Sequence, residues 1–272
     1  KLRELLRSKG SNAKIIAKIE TKRAVENDEH LEAIVQASDA VMVARGDMAY
    51  EVGAEMVPII QRKLVTMCRE HGKICIIATQ TMGSMVDSPI PTRAEVSDVA
   101  NAVIQGADVV MLSDETTNGK YPLETVKQLK KIILYTQNHS EIAPIPTDPR
   151  GENPNYDAIS AAAARLAEKI GADAIICQTA SGATALAIAA QRPNLPIISV
   201  TSDPRVANQL ALVYANSAFV RPYSINYGLD LARELKDSGY LQVDEGKKGL
   251  LVVVVSGDDG VASTDTIKVR HI

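Results

Sequence analysis

A chain of 272 residues is long enough for about two domains, and with 46% hydrophobic and 23% charged residues it has the composition of a soluble globular protein. The formal net charge of −3, with Lys and Arg spread along the chain, excludes the electrostatic footprint of a nucleic-acid or membrane-surface binder. No apolar run approaches the ~18–20 residues of a membrane span, and no stretch of these residues reads as a signal peptide.

In chain order, short β-branched runs alternate with helix-length amphipathic stretches. Strands are predicted at Lys14–Ile19, Ala40–Val43, Ile74–Thr79 and Asp108–Leu112, and helices at Ala24–Ala37, Glu55–His71, Thr92–Gln105 and Pro122–Thr136. Strand-then-helix order argues for parallel βαβ units, and strands apolar throughout suit a sheet covered on both faces. The stretch His139–Tyr156, with four prolines and no hydrophobic period, reads as a linker between a first block, 1–138, and a second, 157–272.

The second block resumes with a helix at Asp157–Ile170, a strand at Ala174–Gln178, a helix at Gly182–Ala190 and a strand at Pro196–Val200. A helix at Arg205–Val213, a strand at Ser217–Val220, a helix at Leu229–Ser238 and an apolar strand at Gly249–Ser256 follow. Thr264–His271 alternates enough for a final antiparallel edge strand. The fold class is therefore α/β: four strand–helix units, then an open α/β sandwich. Four parallel strands do not close a barrel, which needs about eight; the first block is an open sheet, or half of a barrel.

Trp is absent and Phe219 is the one Phe, so the cores must be aliphatic. Cys68, Cys75 and Cys177 have no CxxC spacing; Cys75 and Cys177 lie in apolar runs, as buried thiols in a reducing cytoplasm would. The chain begins with Lys1, so its start is expected to have been processed or cut, or to lie inside a longer protein.

Catalytic residues of β/α barrels sit at the C-terminal ends of strands. Those ends offer Lys18 and Glu20, then Arg45, Gly46 and Asp47, then Thr79 and Gln80, then Ser113, Asp114 and Glu115. Two carboxylates from different strands suit a Mg²⁺ ion that keeps water and a substrate phosphate in its remaining positions, and a lysine beside them can neutralise a transferring phosphoryl group. Taken singly, each has a plainer role: Asp47 as a helix cap or solvated loop residue, Lys18 as an ion-pair partner of Glu20, Thr79 as a helix cap. Spacing alone says no more than a metal or phosphate site.

Several longer runs add a resemblance. Ala17-Lys18-Ile19-Glu20, Met42-Val43-Ala44-Arg45-Gly46-Asp47, Ala78-Thr79-Gln80, Pro91-Thr92-Arg93-Ala94-Glu95-Val96 with Asp98 to Val103, and Gly106 to Ser113 with Glu115-Thr116 occur here in order. Together they resemble the pyruvate kinase family across essentially the whole chain, least in the second block.

The resemblance implies a partial TIM-type barrel over 1–138 as the catalytic domain and an effector-type domain over 157–272. It implies phosphoryl transfer from phosphoenolpyruvate to ADP, giving pyruvate and ATP. Glu20 and Asp47 would bind Mg²⁺ (or Mn²⁺), and Lys18 would stabilise the phosphoryl group. Amides around Gly46 and Asp47 would hold the substrate carboxylate, and Thr79 would bind substrate and help protonate the enolate. Arg45 would be structural or at an interface. The Pro91–Val103 run would serve helix packing and subunit contact in a homotetramer.

In the second domain Thr179, Ser181, Gly182 and Thr184 would cradle a phosphorylated effector, where the plainer reading is an N-cap turn. The segment Ser256–Ser263 resembles the family's effector loop, although Asp258 and Asp259 are unfavourable to an anion there. Departures from the pattern are Thr81-Met82-Gly83-Ser84-Met85 after Gln80, which loses a glutamate, Met48-Ala49-Tyr50-Glu51 after Asp47, and Asp114 in place of a glycine. The family's other four barrel strands and lid supply an arginine for the phosphate, K⁺ ligands and part of the nucleotide site; nothing in this sequence replaces them, so the chain alone is expected to be inactive. Competing readings are another Mg²⁺-dependent phosphoenolpyruvate- or pyruvate-binding barrel enzyme, and a non-catalytic effector-binding or oligomerisation module.

Overall fold

The computed structural model describes residues 1–141, 154–243, 246–257 and 264–272, with backbone alone at 154–156. Two compact units divide the chain, Lys1–Asp148 and Pro149–Ile272.

The first unit begins with helix α1 (Leu2–Ser8), which the apolar pattern does not reveal, and strand β1 (Ile16–Ile19). Next come α2 (Lys22–Val25) and α3 (Asp28–Ala37). The sequence reads these as one helix, but Asn27 breaks it: its backbone is extended and its side chain accepts from His30 N at 3.0 Å, which caps α3 afresh. Strand β2 (Ala40–Ala44) runs directly into α4 (Arg45–Val52), followed by α5 (Val57–Glu70) and β3 (Ile74–Ala78). A 3₁₀ turn at Gly83–Val86 leads to α6 (Arg93–Gln105), opened by a reciprocal Thr92/Glu95 capping box. Strand β4 (Val109–Val110), α7 (Asp114–Thr117) and α8 (Pro122–His139) complete the unit.

The four strands form one parallel sheet in the order β1-β2-β3-β4, with Ala40 paired to Ile16 on one side and to Ile74 on the other. The expected two-sided burial holds for β2, of which four residues are buried, and for β3, of which all five are. It fails at the edges: Ile16 of β1 is 41% exposed and β4 is half-buried, because each has a strand neighbour on one side alone among the described residues. Ile19, Val41, Val43, Leu64 and Ile77 form the core beneath helices α3 and α5, and Met82, Met85, Val99 and Leu129 a smaller one.

The second unit holds α9 (Pro154–Lys169), β5 (Ala174–Gln178), α10 (Ala183–Ala190), β6 (Ile197–Thr201), α11 (Pro204–Gln209) with a 3₁₀ turn at Leu210–Leu212, and β7 (Asn216–Val220). Helix α12 (Tyr227–Asp237), β8 (Leu251–Ser256) and β9 (Thr266–His271) follow. The sheet order is β7-β6-β5-β8-β9, parallel except for β9, which runs antiparallel at the edge as its alternation predicts. The chain walks outward from β5 to β7 and then returns to the other side of β5. The order therefore reverses between β5 and β8, where open α/β sheets form a crevice at their carboxyl ends.

Of the predicted linker His139–Tyr156, α8 takes in His139 and α9 starts at Pro154, while 142–153 lie outside the described residues. All three cysteines are buried free thiols, and no helix among the described residues is long and apolar enough to cross a membrane.

Candidate active site

The carboxyl ends of β1, β2 and β3 carry the residues that the sequence singles out. Lys18, on the edge strand, reaches two acids: its Nζ is 3.0 Å from Asp47 Oδ2 and in ionic contact with Glu20 Oε2. The plain reading of Lys18 as a partner of Glu20 and the functional one as a neighbour of Asp47 are thus both geometrically true. Hydrogen bonds to Glu20 and Asp47 raise the Lys18 ammonium above its usual 10.5, and the same ammonium holds the Asp47 carboxyl below its usual 3.8. Asp47 also lies in the first turn of α4, where a carboxylate complements the helix dipole.

Thr79 joins this group through Gly46. The Gly46 N–H donates to Thr79 Oγ1 at 2.8 Å, so one of the free amides at the start of α4 is met by a side chain from the next strand end. A Cβ at position 46 would stand 3.3 Å from Thr79 Oγ1, so glycine permits the approach. Since Oγ1 accepts from Gly46, its own proton is free to point elsewhere. A substrate carboxylate taking the Gly46 amide would have to displace Thr79 from it.

Thr79 and Gln80 both have left-handed backbones, φ 68° and 52°. For a β-branched residue that conformation is unusual, and such strain costs about 1–3 kcal/mol per residue and persists only where the surroundings impose it. Here they do. The buried Arg45 guanidinium donates to Thr79 O (2.8 Å from Nη2, 3.2 Å from Nε) and to Gln80 O (3.2 Å). Its Nη1 donates to both oxygens of Asp98 in α6, at 2.8 and 2.7 Å. Farther along the loop, Thr81 Oγ1 donates to Met111 O (3.0 Å) and Ser84 N to Glu95 (2.7 Å). Met82 N donates to Glu115 (3.0 Å). Glu115, one of the strand-end carboxylates, is buried and committed to backbone amides; its other oxygen accepts from Ser113 N at 2.7 Å. Asp114 accepts from Asn118 in its own turn. Neither the Arg45 clamp nor the Glu115 bracket can be found by spacing, because their partners lie up to 53 residues away.

The donor set suits a hard divalent ion. Two carboxylates face one ammonium, and Glu20 Oε2 is shielded from solvent with no hydrogen bond besides its ionic contact with Lys18. Among the described residues no cluster of three or more His, Cys, Asp or Glu gathers, so this chain would contribute two ligands. Substrate oxygens and water would fill the rest, as Mg²⁺ accepts.

In the second unit the loop after β5 is a tight cap. Thr179 Oγ1 accepts from Gly182 N at 2.9 Å, Ser181 Oγ from Ala183 N at 3.4 Å, and the Thr184 hydroxyl bonds that of Thr264 at 2.7 Å. Gly182 is left-handed (φ 88°). Thr179 and Thr184 are buried, whereas Ser181 is exposed. Of the predicted effector loop, 258–263, including Asp258 and Asp259, lie outside the described residues.

Comparison with known proteins adds the family. A sequence model described as "Pyruvate kinase, barrel domain" matches residues 1–126, and one described as "Pyruvate kinase, alpha/beta domain" matches 157–270. A pyruvate kinase of Mycobacterium intracellulare is 40% identical over 99% of this chain and 56% of its own. One of Thermotoga maritima is 37% identical over 100% of this chain and 57% of its own. The crystal structure of a pyruvate kinase from Cryptosporidium parvum superposes with a TM-score of 0.83 at 31% identity, covering 96% of this chain and 52% of that one. The chain spans about half the length of the relatives it matches.

Proposed function

We propose, from the premise that this chain belongs to the pyruvate kinase family, that its rim serves phosphoryl transfer from phosphoenolpyruvate to ADP. The observation that carries the reading is the ammonium of Lys18 held between Glu20 and Asp47, with Thr79 fixed against Gly46 one residue away. In the reaction the bond from phosphorus to the enol oxygen breaks, one to the terminal oxygen of ADP forms, and the enolate gains a proton at its methylene carbon.

Lys18 lies where negative charge would spread over the phosphoryl oxygens, and its raised pKa keeps it charged at neutral pH. The first turn of α4 suits the substrate carboxylate through the Asp47 amide, since the N-cap residue has no capping side chain and the Gly46 amide is already taken by Thr79 Oγ1. Thr79, with its proton directed away from Gly46, is oriented to donate to the enolate and recover a proton from water. Glu20 and Asp47 would hold Mg²⁺ (or Mn²⁺), which when bound neutralises charge on the phosphoryl group. The chain's own task is placement and charge.

For the second unit we propose binding of a phosphorylated effector at the carboxyl ends of β5 and β8. The reversal of strand order between β5 and β8, the place where such sheets bind ligands, and the exposed Ser181 beside Gly182 support this. Assembly as a homotetramer in the cytoplasm belongs to the same reading.

A lactate-dehydrogenase-coupled assay of the gene product that contains these residues tests it. With Mg²⁺, phosphoenolpyruvate and ADP, turnover of about 1–100 s⁻¹ is expected, and Lys18→Met should lower kcat by about 10²–10³-fold. A Lys18→Met protein with undiminished kcat overturns the assignment. The 272-residue polypeptide by itself should give negligible turnover, since the phosphate-binding arginine and nucleotide contacts expected of the family are not among its residues. Effector binding by calorimetry, without Mg²⁺-dependent binding of substrate to the gene product, would favour a non-catalytic module instead.

A further inference from the structure

We propose that Arg45 is the positioning residue of this site: it holds Thr79 in its left-handed backbone and so aims the Thr79 hydroxyl, an inference that rests on the phosphoryl-transfer reading above. Arg45 is 7% exposed, and its donors are all spent inside the protein. One edge of the guanidinium, Nε and Nη2, grips the carbonyls of Thr79 and Gln80. The other nitrogen, Nη1, is anchored on both Asp98 oxygens and 3.4 Å from Gln61 Oε1. Arg45 therefore acts on the rim through Thr79, not by touching substrate.

The rest of the loop has other anchors: β4's end for Thr81, Glu115 for Met82 and Glu95 for Ser84. Thr79 and Gln80 are the two left-handed non-glycine residues of this loop, and theirs are the carbonyls that Arg45 takes. Without the fork, a β-branched residue relaxes toward extended backbone, and Oγ1 leaves Gly46 N. A lysine supplies charge but not a planar fork with two faces, so Arg45→Lys removes the device with little change in charge or size.

The test is a double-mutant cycle on the gene product containing these residues, with Arg45→Lys, Thr79→Val and both together. Arg45→Lys should lower kcat about 10²-fold, the scale of an ångström misplacement of a reacting group, and shift KM for phosphoenolpyruvate far less. In the Thr79→Val background the same change should cost nothing further, because its effect passes through that hydroxyl. Losses that multiply across the two positions, or an unimpaired Arg45→Lys enzyme, overturn the proposal. Should Arg45→Lys fail to fold, Asp98→Ala, which leaves the guanidinium in place without its anchor, runs the same cycle: a loss confined to the Thr79 background supports the proposal, and equal losses in both overturn it.

Backbone couplings of Thr79 and Gln80, measured by NMR on the 272-residue chain, separate this inference from the functional one. Left-handed values in the unaltered chain that become extended in Arg45→Lys sustain the positioning role even if the unaltered gene product has no kinase turnover, an outcome that sinks the phosphoryl-transfer reading alone. Couplings that stay left-handed in the variant sink the positioning role alone.

Discussion

At two of its strand ends the chain uses the same materials, a threonine, a glycine and the start of a helix, and arrives at opposite results. After β5, Thr179 accepts from Gly182 three residues on, and the left-handed conformation falls on the glycine, where it costs little. After β3, the glycine amide comes from another strand end, and the left-handed conformation falls on Thr79 and Gln80. The first arrangement is local and unstrained, with its threonines buried. The second is held by distant charged side chains and leaves the Lys18 ammonium and the Asp47 carboxylate at the surface beside a half-buried Glu20. Local satisfaction makes a turn stable; satisfaction across strands stores strain where chemistry is proposed to occur.

The largest effect that would break this contrast lies at Glu115. If the loop after β3 is imposed by its surroundings, Glu115→Ala should leave the amides of Met82 and Ser113 without their acceptor and destabilise the protein by about 2–3 kcal/mol. A urea unfolding midpoint unchanged by the substitution would mean that the bracket contributes nothing.

A smaller effect tests the other side. Gly182→Ala forces a side chain onto φ 88° with Leu210 Cδ2 at 3.1 Å from the new Cβ, and should cost about 1–2 kcal/mol. If thermal unfolding shows no loss, the β5 loop does not depend on its glycine and the comparison fails there.

The contrast also marks what the sequence makes legible. Aliphatic runs reveal β2, β3, β5, β6 and β8, because strands covered on both faces need no polar residues. Alternation in Thr266–His271 reveals the antiparallel edge. The break at Asn27 is hidden, since residues on either side keep a helical rhythm and only the capping hydrogen bond to His30 divides them. At the site, Lys18, Glu20 and Asp47 can be named because they follow strand ends. The roles of Arg45 and Glu115 depend on backbone groups brought near by folding, and a sequence does not display a carbonyl's direction. Nor does it suggest a left-handed Thr79, since threonine is among the residues least suited to that conformation.

The smallest effect concerns pH and the Lys18–Asp47 pair. Asp47 has its pKa lowered from 3.8 by the hydrogen bond from Lys18, so its contribution to stability is fully present above the unfolded value and fades as pH falls through the lowered folded one. Lys18 has its pKa raised from 10.5, so its contribution is present below that value and is lost as pH rises through the raised folded one. The pair therefore acts at full strength between about pH 4 and 10, and because both groups are exposed its effect on stability is slight. An NMR titration of the Asp47 carboxyl carbon reads it directly: the midpoint should lie below 3.8 in the unaltered protein and rise in Lys18→Met, where Glu20 remains as a like charge. Adding Mg²⁺ to Lys18→Met should lower the midpoint again, a divalent ion taking the place of the ammonium between the two acids. A midpoint that ignores both changes would mean that Lys18, Glu20 and Asp47 do not share one electrostatic site, and the outward-facing half of the comparison would have no basis.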